Sequence, residues 1–274
     1  MGVPAQLQIF KTIRRVLTIV WWLTVFVVVG VLTVGPSVLP RWLPGPLATA
    51  RYHILAYTEA LRAYTETTSW DGDSVKHENS FVFSFTNPDG TPAVWEPCEA
   101  IRYTINLENS GETGEQDVHT AVAHIATQTG YKFEYVGETN QIPTETWGVT
   151  PTETGQWPPV LIGWATPDQT PLLKGTEVAR AAQIHVETPE GLRYVSGAVA
   201  LNLEQLATYQ PGFVGTRTQG SVLLHELGHI VGLDHTPNST QIMYKHVGAQ
   251  PAVLGAGDRN GLTQLANPHC APEN

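Results

Sequence analysis

The eleven residues His225-Glu226-Leu227-Gly228-His229-Ile230-Val231-Gly232-Leu233-Asp234-His235 constrain the fold more than any other stretch of the chain. They read H-E-x-x-H-x-x-G-x-x-H. His225 and His229 are four residues apart, so a helix carries both imidazoles on one face, one turn apart, within reach of a single metal ion. Gly232 lets the chain leave that helix through a conformation that residues with side chains resist. The turn swings His235 back towards the other two. Glu226, beside the first imidazole, is placed to act on water at the metal without taking a coordination position. Three neutral nitrogen donors with one open position are the donor set of a catalytic zinc; a structural zinc is closed by a fourth ligand. The preceding Gly220-Ser221-Val222-Leu223-Leu224 is mostly apolar, as a helix buried beneath a cleft requires. The expected zinc helix runs from Thr218 to Val231.

A bare H-E-x-x-H arises by chance on ordinary helices. The glycine, the third histidine and a downstream methionine-containing turn, Gln241-Ile242-Met243-Tyr244, make the longer pattern specific. With these in place, segment 225–244 resembles the metzincin clan of zinc endopeptidases, and within it the matrixin-like branch, in a bacterial-type, membrane-anchored form. The resemblance implies that Met243 is the Met-turn residue, its thioether packed beneath the ligands rather than bound to metal. Tyr244 follows the methionine directly, as in matrixins. Astacin-like members carry a zinc-contacting tyrosine two residues after the methionine, where this chain has Lys245, so no tyrosine ligand is expected. Matrixins usually continue Met-Tyr-Pro. Here Lys245-His246 follow, so the wall of the primed-side specificity pocket departs from the family pattern.

The fold class that follows is α+β, a metzincin-like (zincin) catalytic domain. Ile101 to Leu107 alternates as a strand does, and Gln116 to Thr129 carries Val118, Ala121, Val122, Ile125 and Ala126 at helical spacing, closed by Gly130. Tyr131 to Val136 reads as a second strand and Val160 to Ala165 as a third, buried one. Strand, helix, strand, strand in this order implies a twisted, mostly parallel sheet with a helix packed on it. The resemblance supplies an antiparallel edge strand along the cleft, assigned to Val178–Val186, a parallel strand over Ser196–Leu203, and a final helix near Asp258–Ala266. Before all of these, Phe81 to Phe85 reads as a strand and Asn87-Pro88-Asp89-Gly90 as the turn after it.

Ahead of the catalytic domain, taken as 81–274, three segments are expected. Residues 16–34 are uncharged and mostly apolar, long enough to cross a bilayer as a helix. Lys11, Arg14 and Arg15 precede them, which orients residues 1–15 to the cytoplasm and the remainder outside. Residues 35–80 form a Pro-rich spacer (Pro36, Pro40, Pro44, Pro46) followed by a short amphipathic juxtamembrane helix or stalk. The expected localisation is a single-pass cell-membrane protein with its catalytic domain outside. The alternative is secretion after signal cleavage, for which Ala48-Thr49-Ala50 has a suitable form. Whether part of 35–94 restrains the cleft as a propeptide stays open.

The net charge of −10, with no basic stripe, argues against a nucleic-acid partner. The only two cysteines, Cys98 and Cys270, are most simply a disulfide in an outward-facing domain. The alternative makes Cys98 an inhibitory thiolate at the zinc, although no matrixin-type switch motif surrounds it. His119 and His124, five apart, are expected at the surface or in packing; His185, His246 and His269 fall in no ligand pattern. The acidic residues between 108 and 117 are expected in a solvated loop, and calcium is a cofactor that nothing in the sequence supports.

The implied activity is hydrolysis of peptide or protein substrates, with one zinc held by His225, His229 and His235 and Glu226 as general base. Ala181 and Ala182 are expected to offer a sheet edge to the substrate backbone. The competing readings are a catalytically silent peptide-binding protein of the same fold and a zinc hydrolase of a non-peptide amide in the cell envelope.

Overall fold

The computed structural model describes residues 79–96, 98–246 and 251–266. The chain divides into Met1–Thr58 and Glu59–Asn274, and every described residue belongs to the second unit. The apolar run 16–34, the spacer and juxtamembrane helix, and Cys270 lie outside the described residues. Among those described, no helix is long and apolar enough to cross a membrane.

Five strands make the body of the sheet. They are β3 (Ile101–Asn106), β4 (Phe133–Glu138), β5 (Val160–Ala165), β6 (Ala179–Thr188) and β7 (Gly191–Asn202). In space they run β4-β3-β5-β7, all parallel, with β6 antiparallel on the far side of β7. A short strand β2 (Val94–Trp95) adds parallel to the start of β7. Parallel pairing requires crossovers, and helix α1 (Gly114–Thr129) is the one between β3 and β4. Gly130 closes that helix in a left-handed conformation, its N–H on the Ala126 carbonyl. β5 reads as an unbroken apolar run because both of its faces are covered, and all six residues are buried.

The main core lies between the sheet and α1, with helix α3 (Gln219–Val231) beside it. Ile101, Ile105, Val118, Val122, Ile125, Leu223 and Ile230 are all nearly inaccessible to solvent. Each such side chain contributes about 1.5–3 kcal/mol over leaving it in water. A smaller cluster of Ala165, Leu172, Leu173, Ala198 and Ala200 fills another part of the interior. Two hydrogen bonds tie distant ends of the chain to this core. Trp95 Nε1 donates to the Ile230 carbonyl at 2.9 Å, and Tyr131 Oη to the Leu265 carbonyl at 2.7 Å. The latter fixes the end of helix α4 (Ala256–Leu265).

The expected order of elements is present, with shifted ends. The strand foreseen over Phe81–Phe85 is only β1 (Val82–Phe83), paired with a two-residue strand β8 (Leu233–Asp234) that follows α3. β7 begins at Gly191 rather than Ser196, because its polar first half is held by the hairpin with β6 and not by apolar patterning. The edge strand spans Ala179–Thr188, and a short helix α2 (Leu203–Leu206), capped by the Asn202 side chain, interrupts the path from β7 to α3.

One reading of a polar residue is corrected and another is narrowed. Asp117 is not in a solvated loop: it is buried in the first turn of α1, accepting from Thr113 Oγ1 (2.9 Å) and Gly212 N–H (3.1 Å). Of the two expectations for His119 and His124, surface or packing, the structure shows packing. His119 Nδ1 meets the Tyr103 hydroxyl at 2.7 Å, and His124 stacks on Phe213. No acidic cluster stands ready for calcium among the described residues, where three histidines form the one group so placed.

Candidate metal centre

The local sequence explains how the histidines meet. Thr218 starts α3 by accepting the Ser221 N–H on its hydroxyl at 3.1 Å. Val222, Leu223, Leu227 and Ile230 then bury the helix against the sheet and α1. His225 and His229 project from the same side one turn apart. At Gly232 the backbone turns at φ 122°, a region open to glycine. The chain reverses through β8, where β1 pins it, and delivers His235.

The three Nε2 atoms stand 3.1, 3.1 and 3.2 Å from one another. His225 Nδ1 lies 2.7 Å from the Ile242 carbonyl and His229 Nδ1 lies 2.7 Å from the Leu233 carbonyl. A carbonyl only accepts, so both Nδ1 atoms carry the proton. Burial holds His225 well below the usual imidazole range and His229 down to about 4, so each ring is neutral and each Nε2 presents a lone pair. Two lone pairs thus face each other at hydrogen-bond distance. Even a proton from His235 would answer only one of them. A cation answers all three. Nitrogens around a tetrahedral zinc at about 2.0–2.1 Å stand about 3.3–3.4 Å apart, close to the observed triangle. The all-nitrogen donor set also suits zinc over magnesium or calcium.

Met243 is 1% exposed, and its sulfur lies against Gly228, the residue directly before His229, where any Cβ would collide with it. The turn carrying it is held from α4. Asp258, fully buried, accepts the N–H groups of Ile242 (2.7 Å), Met243 (3.2 Å) and Gly255 (2.8 Å). Gln241 Oε1 accepts the Asp258 N–H in return at 3.0 Å. The carbonyl that orients His225 therefore belongs to a turn fixed by one carboxylate. Spacing within the motif gives no sign of Asp258; a lone Asp in the first turn of a predicted helix is its only signal.

The histidines open onto a cleft of about 710 Å³ that also takes in Glu226, Arg180, Ala181, Lys245 and His246. Glu226 is 3% exposed, and burial pushes its carboxyl up to about 8, opposed first by the hydrogen bond it accepts from the Ala181 backbone. A dication in the histidine triangle would draw it back down. Of the two edge residues singled out, Ala181 lines the cleft while Ala182 packs on the Leu172–Leu173 cluster. The outer edge of β6 pairs with no strand among the described residues. Arg180 is engaged by Glu177 at 3.0 Å. Tyr244 bridges to Thr236 and is absent from the cleft lining, whereas the neighbouring Lys245 and His246 form part of its wall. Glu96 and Glu99, close to Cys98 in sequence, line a separate cavity of about 460 Å³ that includes none of the three histidines, and Cys98 is absent from the lining of the histidine cleft.

Comparison with known proteins bears on this same part of the chain. Residues 173–266, from before β6 to the end of α4, match the family model of the matrixins. A protein of Trichoplusia ni ascovirus 2c named "Putative matrix metalloproteinase" is 31% identical over 85 residues, which is 31% of this chain and 15% of that protein. The chain thus spans a small fraction of the relative it matches. The segment that supplies the histidines and most of the cleft is matrixin-like, and that family implies zinc and metallopeptidase chemistry.

Proposed function

We propose that this chain is a zinc-dependent endopeptidase that cleaves peptide bonds in the cleft between β6 and α3. The observation that carries the reading is the convergence of three neutral imidazole nitrogens within 3.2 Å beside a buried carboxylate. His225, His229 and His235 would hold the ion. When bound there, zinc supplies Lewis acidity to a water and to the scissile carbonyl. Glu226 takes the proton of the attacking water and passes it to the departing amine. Its burial raises its basicity towards neutral pH, which suits both halves of that transfer. The substrate backbone pairs along the free edge of β6 near Ala181, which holds an extended peptide and sets its carbonyl over the site.

Chelation tests this directly. Metal-stripped protein should leave casein intact, one equivalent of zinc should restore its digestion, and muropeptides should stay uncut in both states. Cleavage of muropeptides alone would favour the non-peptide amide reading, and binding without cleavage the silent one.

The same proposal places the chain at the cell membrane, anchored through residues 16–34 with the catalytic domain outside, and pairs Cys98 with Cys270. The motivating feature is the apolar run preceded by Lys11, Arg14 and Arg15. N-terminal sequencing of the mature protein reads the first point. Recovery of a processed protein starting after Ala50 would replace the anchor by secretion. Peptide mass analysis without reduction reads the second.

A further inference from the structure

The residues that hold the histidines in place are not all in the matrixin-like segment. β1 lies against β8 with Val82 opposite Asp234 and Phe83 opposite Leu233, directly before His235. The next residue, Ser84, makes three contacts with the site. Its N–H donates to the Gly232 carbonyl at 2.9 Å. Its hydroxyl donates to the Leu233 carbonyl at 2.8 Å, the same oxygen that accepts the Nδ1 proton of His229. That hydroxyl also accepts from Gln183 Nε2 at 3.0 Å, and Gln183 Nε2 donates as well to the backbone carbonyl of His229. Ser84 and Gln183 both line the cleft.

These bonds form one relay, from the Gln183 amide through the Ser84 hydroxyl to the Leu233 oxygen, which His229 meets from its other side. Hydrogen bonds in such a chain polarise and orient one another. A carbonyl with two donors in place has little freedom to rotate, and its direction sets the plane of the His229 ring. Groups that accept the outer N–H of a ligating histidine fix its tautomer and aim and tune its basicity. Gln183 sits on β6, so the relay also fastens the substrate-binding edge to the C-terminal turn of the ligand helix.

We infer that Ser84 and Gln183 are positioning residues for His229, and that the N-terminal strap Val82–Phe85 is thereby a working part of the metal centre. This rests on the proposed zinc reading. It predicts that the matrixin-like segment alone is an incomplete site, because the hydroxyl that completes the relay lies far upstream of it.

The test uses the full chain carrying Ser84→Ala, Ser84→Thr, Gln183→Leu or the Ala/Leu pair. Zinc affinity is measured by competition with a chelating dye, and the ligand field by the visible spectrum of the cobalt-substituted protein. Ser84→Ala and Gln183→Leu should each weaken zinc about 10–100-fold, the usual consequence of losing an outer partner of a ligand. Ser84→Thr, which keeps the hydroxyl, should stay near wild type. The pair should be little worse than either single change, since both cut one relay. With zinc saturating, kcat should fall and KM should hold. Wild-type zinc affinity and an unchanged cobalt spectrum in Ser84→Ala would overturn the inference, whatever that variant's melting temperature. If that variant does not fold, the same readings on Gln183→Leu decide. Absence of zinc binding in the wild type would instead overturn the zinc reading itself.

Discussion

Glu226 is asked to do chemistry that no neighbour can take over, so its replacement isolates that chemistry. Glu226→Gln keeps the shape and the Ala181 contact but cannot accept a proton. Zinc content should be unchanged while kcat/KM falls by about 10²–10⁴. His229→Ala should lose the metal along with activity, as elemental analysis after dialysis would report. Asp258 predicts a different loss. Its carboxylate answers three buried N–H groups, so Asp258→Ala should destabilise the protein by about 3–5 kcal/mol in denaturant unfolding and release the turn that orients His225. A change below 1 kcal/mol would deny it that role. The histidines and Glu226 were legible in the sequence because eleven consecutive residues contain their geometry. Ser84, Gln183 and Asp258 were not, because their partners are distant in sequence: Ser84 reaches Leu233 across 149 residues. A serine in a short strand has no periodicity that could announce such a bond.

At the scale of elements, the apolar pattern located α1 and β5 well, because each is defined by what it buries, and the histidine motif located α3. The resemblance began β7 too late, and nothing announced β8, because main-chain pairing decides both and side chains carry no pattern there. The acidic stretch near 108–117 misled for a related reason: Asp117 is buried only because Thr113 and the Gly212 backbone satisfy it. The neighbouring residue contact of His124 with Phe213 yields a pH prediction. Burial lowers the His124 pKa to about 4 from an unfolded value near 6.5. Above pH 6.5 both states are neutral and stability is level. Between about 6.5 and 4 the unfolded chain takes up a proton that the folded one refuses, so stability falls with pH, by on the order of 3 kcal/mol in full. His124→Phe should flatten melting temperature against pH across that window relative to wild type; an identical slope would reassign the effect. The edge strand makes its own prediction. N-methylation of substrate amides that face β6 should raise KM, and unchanged kinetics would remove main-chain pairing from the account.

For the molecule as a whole, the sheet works as a platform that carries β6 on one border and α3 across its face, so that the cleft forms where they meet. Lys245 and His246 form part of the cleft wall where the chain departs from the Met-Tyr-Pro continuation, and substrate profiling converts that departure into a side-chain preference. The apolar run 16–34 and the prolines that follow it stand apart from the rest by composition, and the anchor and spacer read from them remain part of the proposal. The central claim is that one zinc and one carboxylate cut peptide bonds in this cleft. Its most direct test is the rate of hydrolysis of an unblocked peptide by wild type and Glu226→Gln, each first shown to hold one zinc per chain. The account predicts ready cleavage by the wild type and almost none by the variant at equal metal content. Equal rates in the two, or no cleavage by fully zinc-loaded wild type, would contradict it.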